Sequence, residues 1–179
     1  MPRTATREGT AVDTGVDTGT DTGVDAAAFR RILGRFPTGV VVVSASVEGR
    51  PVGMAVNSFT SVSLEPPLVC FCAAHSSTTW PDLRRAGGFT VSILGSGHED
   101  LARLFARRGA DRYGDAGAWT ASPAGHPLLA DALGWLDCET VAVHPAGDHD
   151  LVLGRVLQGG AADGEPLVFS GGRFTTLRG

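Results

Sequence analysis

Phe29, Ile32, Leu33 and Phe36 recur at i, i+3, i+4 and i+7, so the spacing predicts a helix over residues 26–35 with one apolar face. Asp25 stands where an N-cap belongs, and Pro37-Thr38-Gly39 ends the helical pattern. The period then changes. Residues 40–45 are β-branched and read as a central strand. Glu48-Gly49-Arg50 makes a turn, and residues 51–59 return as a second strand. From Asn57 onward short polar side chains dominate: Ser58, Thr60, Ser61 and Ser63, with only Phe59 and Val62 bulky between them. Glu65-Pro66-Pro67 forces a turn, because each proline fixes its own φ and pushes its predecessor into extended geometry. Residues 68–74 form an apolar run of the length of a buried strand.

Residues 80–85 suit a short helix, with Pro81 in the first turn and Gly87 beyond its end. Residues 89–94 read as a strand. Ser96-Gly97-His98-Glu99 matches a capping box with Ser96 as N-cap and Glu99 at N3. The helix behind it turns Leu101, Leu104 and Phe105 inward and Arg103, Arg107 and Arg108 outward, the arginines forming a solvated face; Gly109 stops it. Residues 110–125 show no period and are expected as a long loop anchored by Asp111-Arg112-Tyr113. Residues 133–144 alternate loosely, and 151–157 continue strand-like beyond Pro145-Ala146-Gly147. Residues 159–165 turn into a last strand pair, 166–169 and 173–177. Many short strands, Gly-rich turns and two or three helices point to a mainly β fold, a barrel with accessory helices.

Composition narrows the setting. A chain of 179 residues with 42% hydrophobic content can bury a core as one domain, expected over 25–179. Residues 1–24 are a low-complexity tail repeating Asp-Thr-Gly, with aspartates at 13, 17, 21 and 25. The tail lacks the hydrophobic strands that surround an aspartic-protease Asp-Thr-Gly and the apolar positions of calcium-binding repeats. It is expected to be disordered, since without aromatics it cannot bury enough surface to offset its ordering entropy. No apolar run approaches a membrane span and no signal-peptide core is apparent, so a cytoplasmic protein is expected. A net charge of −4 argues against nucleic-acid binding. Cys70 and Cys72 share one face of a strand and read as small core residues; with Cys138 they make an odd set that suggests no disulfide framework. The five histidines lack zinc-type spacing, so no metal is expected.

The chemistry concentrates between residues 53 and 79. An extended segment of small side chains lets a planar ligand lie close to the main chain. His75-Ser76-Ser77-Thr78-Thr79 places four hydroxyls before a helix, where exposed N–H groups favour a phosphate. A polar edge strand followed by an ordinary N-cap would show the same residues. No G-x-G-x-x-G follows a strand and no G-x-S-x-G is present, which removes the Rossmann and nucleophile-elbow readings.

GMAVNSFTSVSLEPPLV (53–69) followed by HSSTTW (75–80) resembles the flavin reductase family. FRRILGRFPTGVVVVSA (29–45), DRYGDAGAW (111–119), GHPLL (125–129), GDHDLVLGRV (147–156) and PLVFSGGRF (166–174) agree in order, so the resemblance spans residues 26–177. It implies an FMN-binding split β-barrel that reduces FMN or FAD with NADH or NADPH. It also implies a homodimer and a partner flavin-dependent monooxygenase that takes the reduced flavin. In such a protein hydride transfer belongs to the cofactors, and the chain must stack and orient them.

Carried onto this sequence, the resemblance puts the backbone of Val56, Asn57, Ser58 and Phe59 along the ring edge and Thr38 near the far end of the first strand pair. Ser61, Ser76, Ser77 and Thr78 would serve the ribityl chain and phosphate. His149, in the GDH turn, would face the flavin and contact the nicotinamide or balance flavin charge; capping that turn is its competing role. Two departures matter. Ala55 stands where many relatives have threonine, and His75 where they often have arginine or lysine, so phosphate neutralisation would rest on another base such as Arg84. A split-barrel oxidase and a non-catalytic flavin carrier remain as alternatives, separated by whether pyridine nucleotide is turned over.

Overall fold

The computed structural model describes residues 23–115 and 117–177; most of the expected tail therefore lies outside the described residues. Asp25 caps α1 (Ala26–Leu33) by accepting a hydrogen bond from Ala28 N at 2.7 Å. The helix closes two residues short of the expected end, tightening into i→i+3 bonds from Arg35 N to Ile32 O and Phe36 N to Leu33 O. Its apolar face is uncovered: Phe29, Ile32, Leu33 and Phe36 are 49–69% exposed.

β1 (Thr38–Gly39) pairs with β11 (Leu167–Ser170), which turns back into β12 (Arg173–Thr176). β2 (Val41–Val47) and β3 (Arg50–Val56) form a hairpin whose two turn residues, Glu48 and Gly49, both have positive φ, as a tight twisted hairpin requires. The strand expected over 51–59 divides. β3 stops at Val56, and β4 (Thr60–Leu64) leaves to pair with β5 (Pro67–Ala74) instead. Between them Ser58 acts as a substitute strand: its Oγ accepts from Cys72 N at 2.9 Å and donates to Cys72 O at 3.2 Å.

α2 (Trp80–Arg85) and β6 (Gly88–Ile93) follow as expected. The next helix enters through a 3-10 turn, Ser96–His98, before α3 (Glu99–Ala106). The expected capping box is displaced by one residue: Gly95 N donates to His98 Nδ1 at 3.0 Å, and Glu99 pairs with Arg103 one turn on. The tighter first turn shifts the frame that the Ser-x-x-Glu spacing assumed. Residues 110–125 are not wholly loop, since β7 (Trp119–Ala121) pairs with β8 (Pro127–Leu129). β9 (Gly134–Ala146) and β10 (His149–Ala161) are long, joined by Gly147-Asp148.

The main sheet runs β3-β2-β6-β9-β10-β5-β4 among the described residues. β2 is next to the end of that order rather than central, yet both its faces are covered. Val41, Val43 and Ala45 pack with Phe71, Phe89, Val91 and Trp80, while Val40 and Val42 pack with Leu94, Phe105 and Leu167. This explains an unbroken apolar run where alternation would be usual. β5 alternates: Val69, Phe71 and Ala73 enter the core. Cys70 and Cys72 share a face as expected, but it is the opposite, half-buried one, so they are not core residues. Cys138 is the buried cysteine, its thiol pushed up to about 12 by desolvation.

Curling the sheet brings β3 and β5 near each other without pairing them. β3 is an end strand, and β5 has no β4 partner beyond Cys70 in the register. The barrel is split there, leaving backbone groups of β3 along an open edge.

Candidate functional site

A cavity of about 340 Å³ fills the split. Met54, Ala55, Val56, Asn57 and Ser58 form one wall, Cys72 and Ala74 of β5 the opposite one. Ser76, Ser77, Thr78 and Thr79 close one side, Phe105 and Ala106 of α3 another, and Arg108, Arg112 and His149 bring basic groups to it. Among the described residues no aspartate or glutamate lines it. Hydroxyls, two guanidiniums and an open strand edge, with no carboxylate, suit a planar ligand bearing an anionic group.

The hydroxyl loop hangs between β5 and α2, and its residues are not equivalent. Ser77 Oγ accepts from Thr79 N and Trp80 N, both at 3.2 Å, and donates to Met54 Sδ at 3.6 Å, so it braces the turn that enters α2, whose N-cap position is Thr79. Thr79 Oγ1 accepts from Arg112 Nη1 at 3.0 Å. The hydroxyls of Ser76 and Thr78 form no hydrogen bond within the chain among the described residues and face the cavity.

Beneath the loop lies Asp150, 4% exposed. Trp80 Nε1 donates to it at 2.7 Å, His75 Nε2 lies at 3.1 Å and Arg84 Nη1 donates at 3.4 Å. These bonds, Trp80's first, hold its carboxyl below the usual carboxylate range against the opposing effect of desolvation. His75 and Arg84 therefore brace the loop from behind, and neither lines the cavity. Arg108 and Arg112, rather than Arg84, are the guanidiniums that line it.

Arg108 was expected on a solvated helix face. The helix ends at Ala106, and the extended Arg107 turns the chain so that Arg108 Nη2 donates to Ser76 O at 2.8 Å. Of the three arginines only Arg103 lies within the helix, beside Glu99 and over the Phe174 ring; Arg107 and Arg108 are also exposed. Arg112 is held by bonds to Thr79 Oγ1 and Arg107 O, while its Nε is buried without a partner. Burial lowers the guanidinium from its ordinary value, a cost that an anion beside it would offset. Tyr113 fixes this segment: its hydroxyl donates to Ser44 Oγ at 2.7 Å and faces Val52 O at 3.2 Å, and its ring meets Phe105 and Trp119 edge-on. A Cβ at Gly53 would collide with that hydroxyl, so glycine is required there.

Of the residues anticipated from sequence, Val56, Asn57, Ser58, Ser76, Ser77, Thr78 and His149 converge on the cavity. His149 begins β10, and its Nδ1 lies 2.7 Å from Asp148 Oδ1 at the exposed turn, which depresses the Asp148 carboxyl. Thr38 and Phe59 line a different cavity of about 900 Å³, between α1, residues 57–60 and the β11–β12 turn. Thr38 Oγ1 is buried there without a partner. Ser61 is exposed on β4 and lines neither cavity. The residues missed were Cys72, Arg108 and Arg112. Basic residues past a helix-stopping glycine were the available signal, but their direction depends on the turn after α3.

The family described as Flavin reductase like domain matches residues 33–178. The chain is 42% identical over 147 residues to FMN reductase (NADH) SmoA of Agrobacterium fabrum, covering 82% of this chain and 83% of that one. It is 38% identical over 150 residues to HsaB of Rhodococcus jostii, the reductase subunit of a flavin-dependent monooxygenase, covering 83% and 76%. Among solved structures, the NADH:FAD oxidoreductase SgcE6 of Streptomyces globisporus, in complex with NAD and FAD fragments, superposes with a TM-score of 0.81. That protein is 39% identical, and the match covers 86% of this chain and 93% of that one.

Proposed function

The chain belongs to the flavin reductase family, and on that premise we propose that it reduces FMN or FAD with NADH or NADPH and supplies the reduced flavin to a flavin-dependent monooxygenase. One observation carries the reading at the level of this chain. The cavity in the barrel split has an open strand edge on one wall and hydroxyls with two arginines on another, with no carboxylate between them among the described residues. A planar ring bearing an anionic side chain fits that distribution, and the orphaned Arg112 Nε supports an anion at that end.

Hydride transfer between nicotinamide and the flavin ring is chemistry those groups supply when bound. The protein's part is to hold and orient. In this reading the β3 edge from Val56 to Phe59 offers backbone groups to the ring, while Ser76 and Thr78 with Arg108 and Arg112 hold the phosphate. Ser77 keeps the loop in shape. His149 orients the nicotinamide from the β9–β10 turn, with Asp148 fixing its ring. Thr38, Phe59 and Ser61 would act from the rim rather than from the cavity itself.

A homodimer goes with this reading, because the uncovered apolar face of α1 borders the cavity that Thr38 and Phe59 line. We place the enzyme in the cytoplasm, where free cysteines and reduced pyridine nucleotides belong. No helix among the described residues is long and apolar enough to cross a membrane. The domain is taken to begin at Asp25. Oxidation of NADH and NADPH, followed at 340 nm with and without FMN or FAD, tests the function. Flavin-dependent turnover is expected. Flavin bound stoichiometrically with no nucleotide oxidation would refute the reductase reading in favour of a flavin carrier or an oxidase.

A further inference from the structure

Two carboxylates are buried in the main sheet, and they are held in different ways. Asp150 has His75 and Arg84 beside it. Asp137 of β9 is completely buried and forms no ion pair among the described residues. Its partners are neutral: Thr90 Oγ1 of β6 donates to its Oδ1, while Ala124 N and Gln158 Nε2 of β10 donate to its Oδ2 at 3.0 and 3.2 Å. Thr90 spends its one proton on the carboxylate, so Ser122 Oγ, 3.1 Å from the Thr90 oxygen, is the donor of the next bond. Ser122 Oγ in turn accepts from His126 N at 3.3 Å. His126, the basic group that feels this charge, does not neutralise it. Its Nδ1 accepts from Ser46 N at 3.2 Å, and burial lowers the ring from its ordinary value. A charge buried among neutral donors is costly, so stability does not account for Asp137.

Ser122, Ala124 and His126 belong to the turn between β7 and β8. The rest of this arm is mounted on the same sheet by two more buried hydroxyls: Ser92 Oγ accepts from Leu129 N at 3.2 Å, and Ser44 Oγ from Tyr113 Oη at 2.7 Å. A hydroxyl can donate or accept and so suits more than one seating of the arm, whereas a carboxylate only accepts. The arm leads to the cavity. Trp119 Nε1 of β7 donates to Tyr113 O at 3.3 Å and its ring meets Tyr113 edge-on, and Tyr113 adjoins Arg112. We propose that Asp137 is a positioning residue for the flavin phosphate, setting through the β7–β8 arm where Arg112 stands; the proposal rests on the flavin-reductase reading. Asp137 lies outside the cavity lining and touches no ligand there. An amide in its place turns an N–H toward a donor or reverses the Thr90–Ser122 bonds, and the arm loses its single seating.

Asp137→Asn keeps the shape of the side chain and removes its charge. Fluorescence titration of the full chain with FMN and riboflavin, beside thermal melts, tests the proposal. The variant should melt at or above the wild-type temperature, because an uncompensated buried charge is gone. Its preference for FMN over riboflavin should nevertheless fall by about threefold to tenfold, part of one hydrogen bond to a charged group. Arg112→Ala should reduce that preference at least as far, and Asp137→Asn added to Arg112→Ala should reduce it no further. A lowered melting temperature with an unchanged preference would leave Asp137 only a structural role and overturn the proposal. An equal reduction with and without the Arg112 side chain would overturn it too. If Asp137→Asn does not fold, Ser122→Ala, which breaks the same chain of bonds, must show the same dependence on Arg112 or the proposal fails. A wild type that binds FMN no more tightly than riboflavin would overturn it together with the phosphate assignment. NADH oxidation, measured separately, reports on the reductase reading by itself.

Discussion

Replacing the loop hydroxyls one at a time should separate two kinds of serine that look alike in sequence. Ser77 Oγ is committed to Thr79 N, Trp80 N and Met54 Sδ, and α2 behind it buries Trp80 and Leu83 at 5% exposure each. Loss of a hydroxyl that satisfies N–H groups at a helix start costs about 0.5–2 kcal/mol, as loss of a cap does. At roughly 2–4 °C per kcal/mol for a chain of this size, Ser77→Ala should lower Tm by about 1–8 °C. It should weaken riboflavin and FMN by similar factors, since it disturbs the loop rather than removing a phosphate ligand. Ser76 and Thr78, with hydroxyls uncommitted and facing the cavity, should behave oppositely. A hydrogen bond to a charged group is worth about 1.5–3 kcal/mol, which is roughly a tenfold to hundredfold loss of FMN affinity for each hydroxyl removed. Riboflavin carries no phosphate and should lose little, and the melting temperature should stay near wild type. Fluorescence titration with both ligands, beside thermal melts of the same preparations, reads all of these quantities. Equal weakening of FMN and riboflavin in the Ser76→Ala/Thr78→Ala variant would refute the phosphate assignment. Selective loss of FMN by Ser77→Ala with an unchanged melt would refute the bracing role.

His149→Ala should slow single-turnover reduction of bound flavin by NADH, by up to on the order of a hundredfold if nicotinamide geometry is lost. Flavin affinity should change little; a lowered Tm with an unaltered reduction rate in stopped flow would leave the residue only its turn-capping role beside Asp148. The carboxyl of Asp150 is held below its ordinary value when folded, so the stability it contributes is fully present above the unfolded value near pH 3.9 and is lost as pH falls through the depressed folded one. Melts of wild type and Asp150→Asn should therefore differ most near neutrality and converge as pH falls below the unfolded value; a gap that stays constant into acid would show that its charge does not matter. Phe29→Asp with Ile32→Asp on the exposed face of α1 should convert a dimer to a monomer in light scattering at micromolar concentration, and a wild type already monomeric would dispose of the dimer.

Local chemistry in the sequence was enough for much of the architecture. The Asp25 cap, the Glu48-Gly49 hairpin, the Glu65-Pro66-Pro67 turn and the short helix at Trp80 depend on φ preferences and on neighbours within a few residues. Ordered motifs pointed to the split barrel, and the short polar residues from Asn57 onward to a wall open to a ligand, of which Asn57 and Ser58 line the cavity. The remainder depended on contacts distant in the chain. Period-two alternation places Cys70 and Cys72 on one face but not on which side the core lies; that was decided when Phe71 met Phe89 and Trp80. His75 and Arg84 look like phosphate ligands until Asp150, 75 and 66 residues away, takes them both. Arg108 looks like a solvent charge and Arg112 like a loop anchor until the turn after α3 and the Tyr113–Ser44 hydroxyl pair bring them to the hydroxyl loop. A charged side chain carries no local record of its partner. Its role is set by which opposite charge or open edge the closed barrel brings within about 3 Å, and that is a property of the tertiary fold.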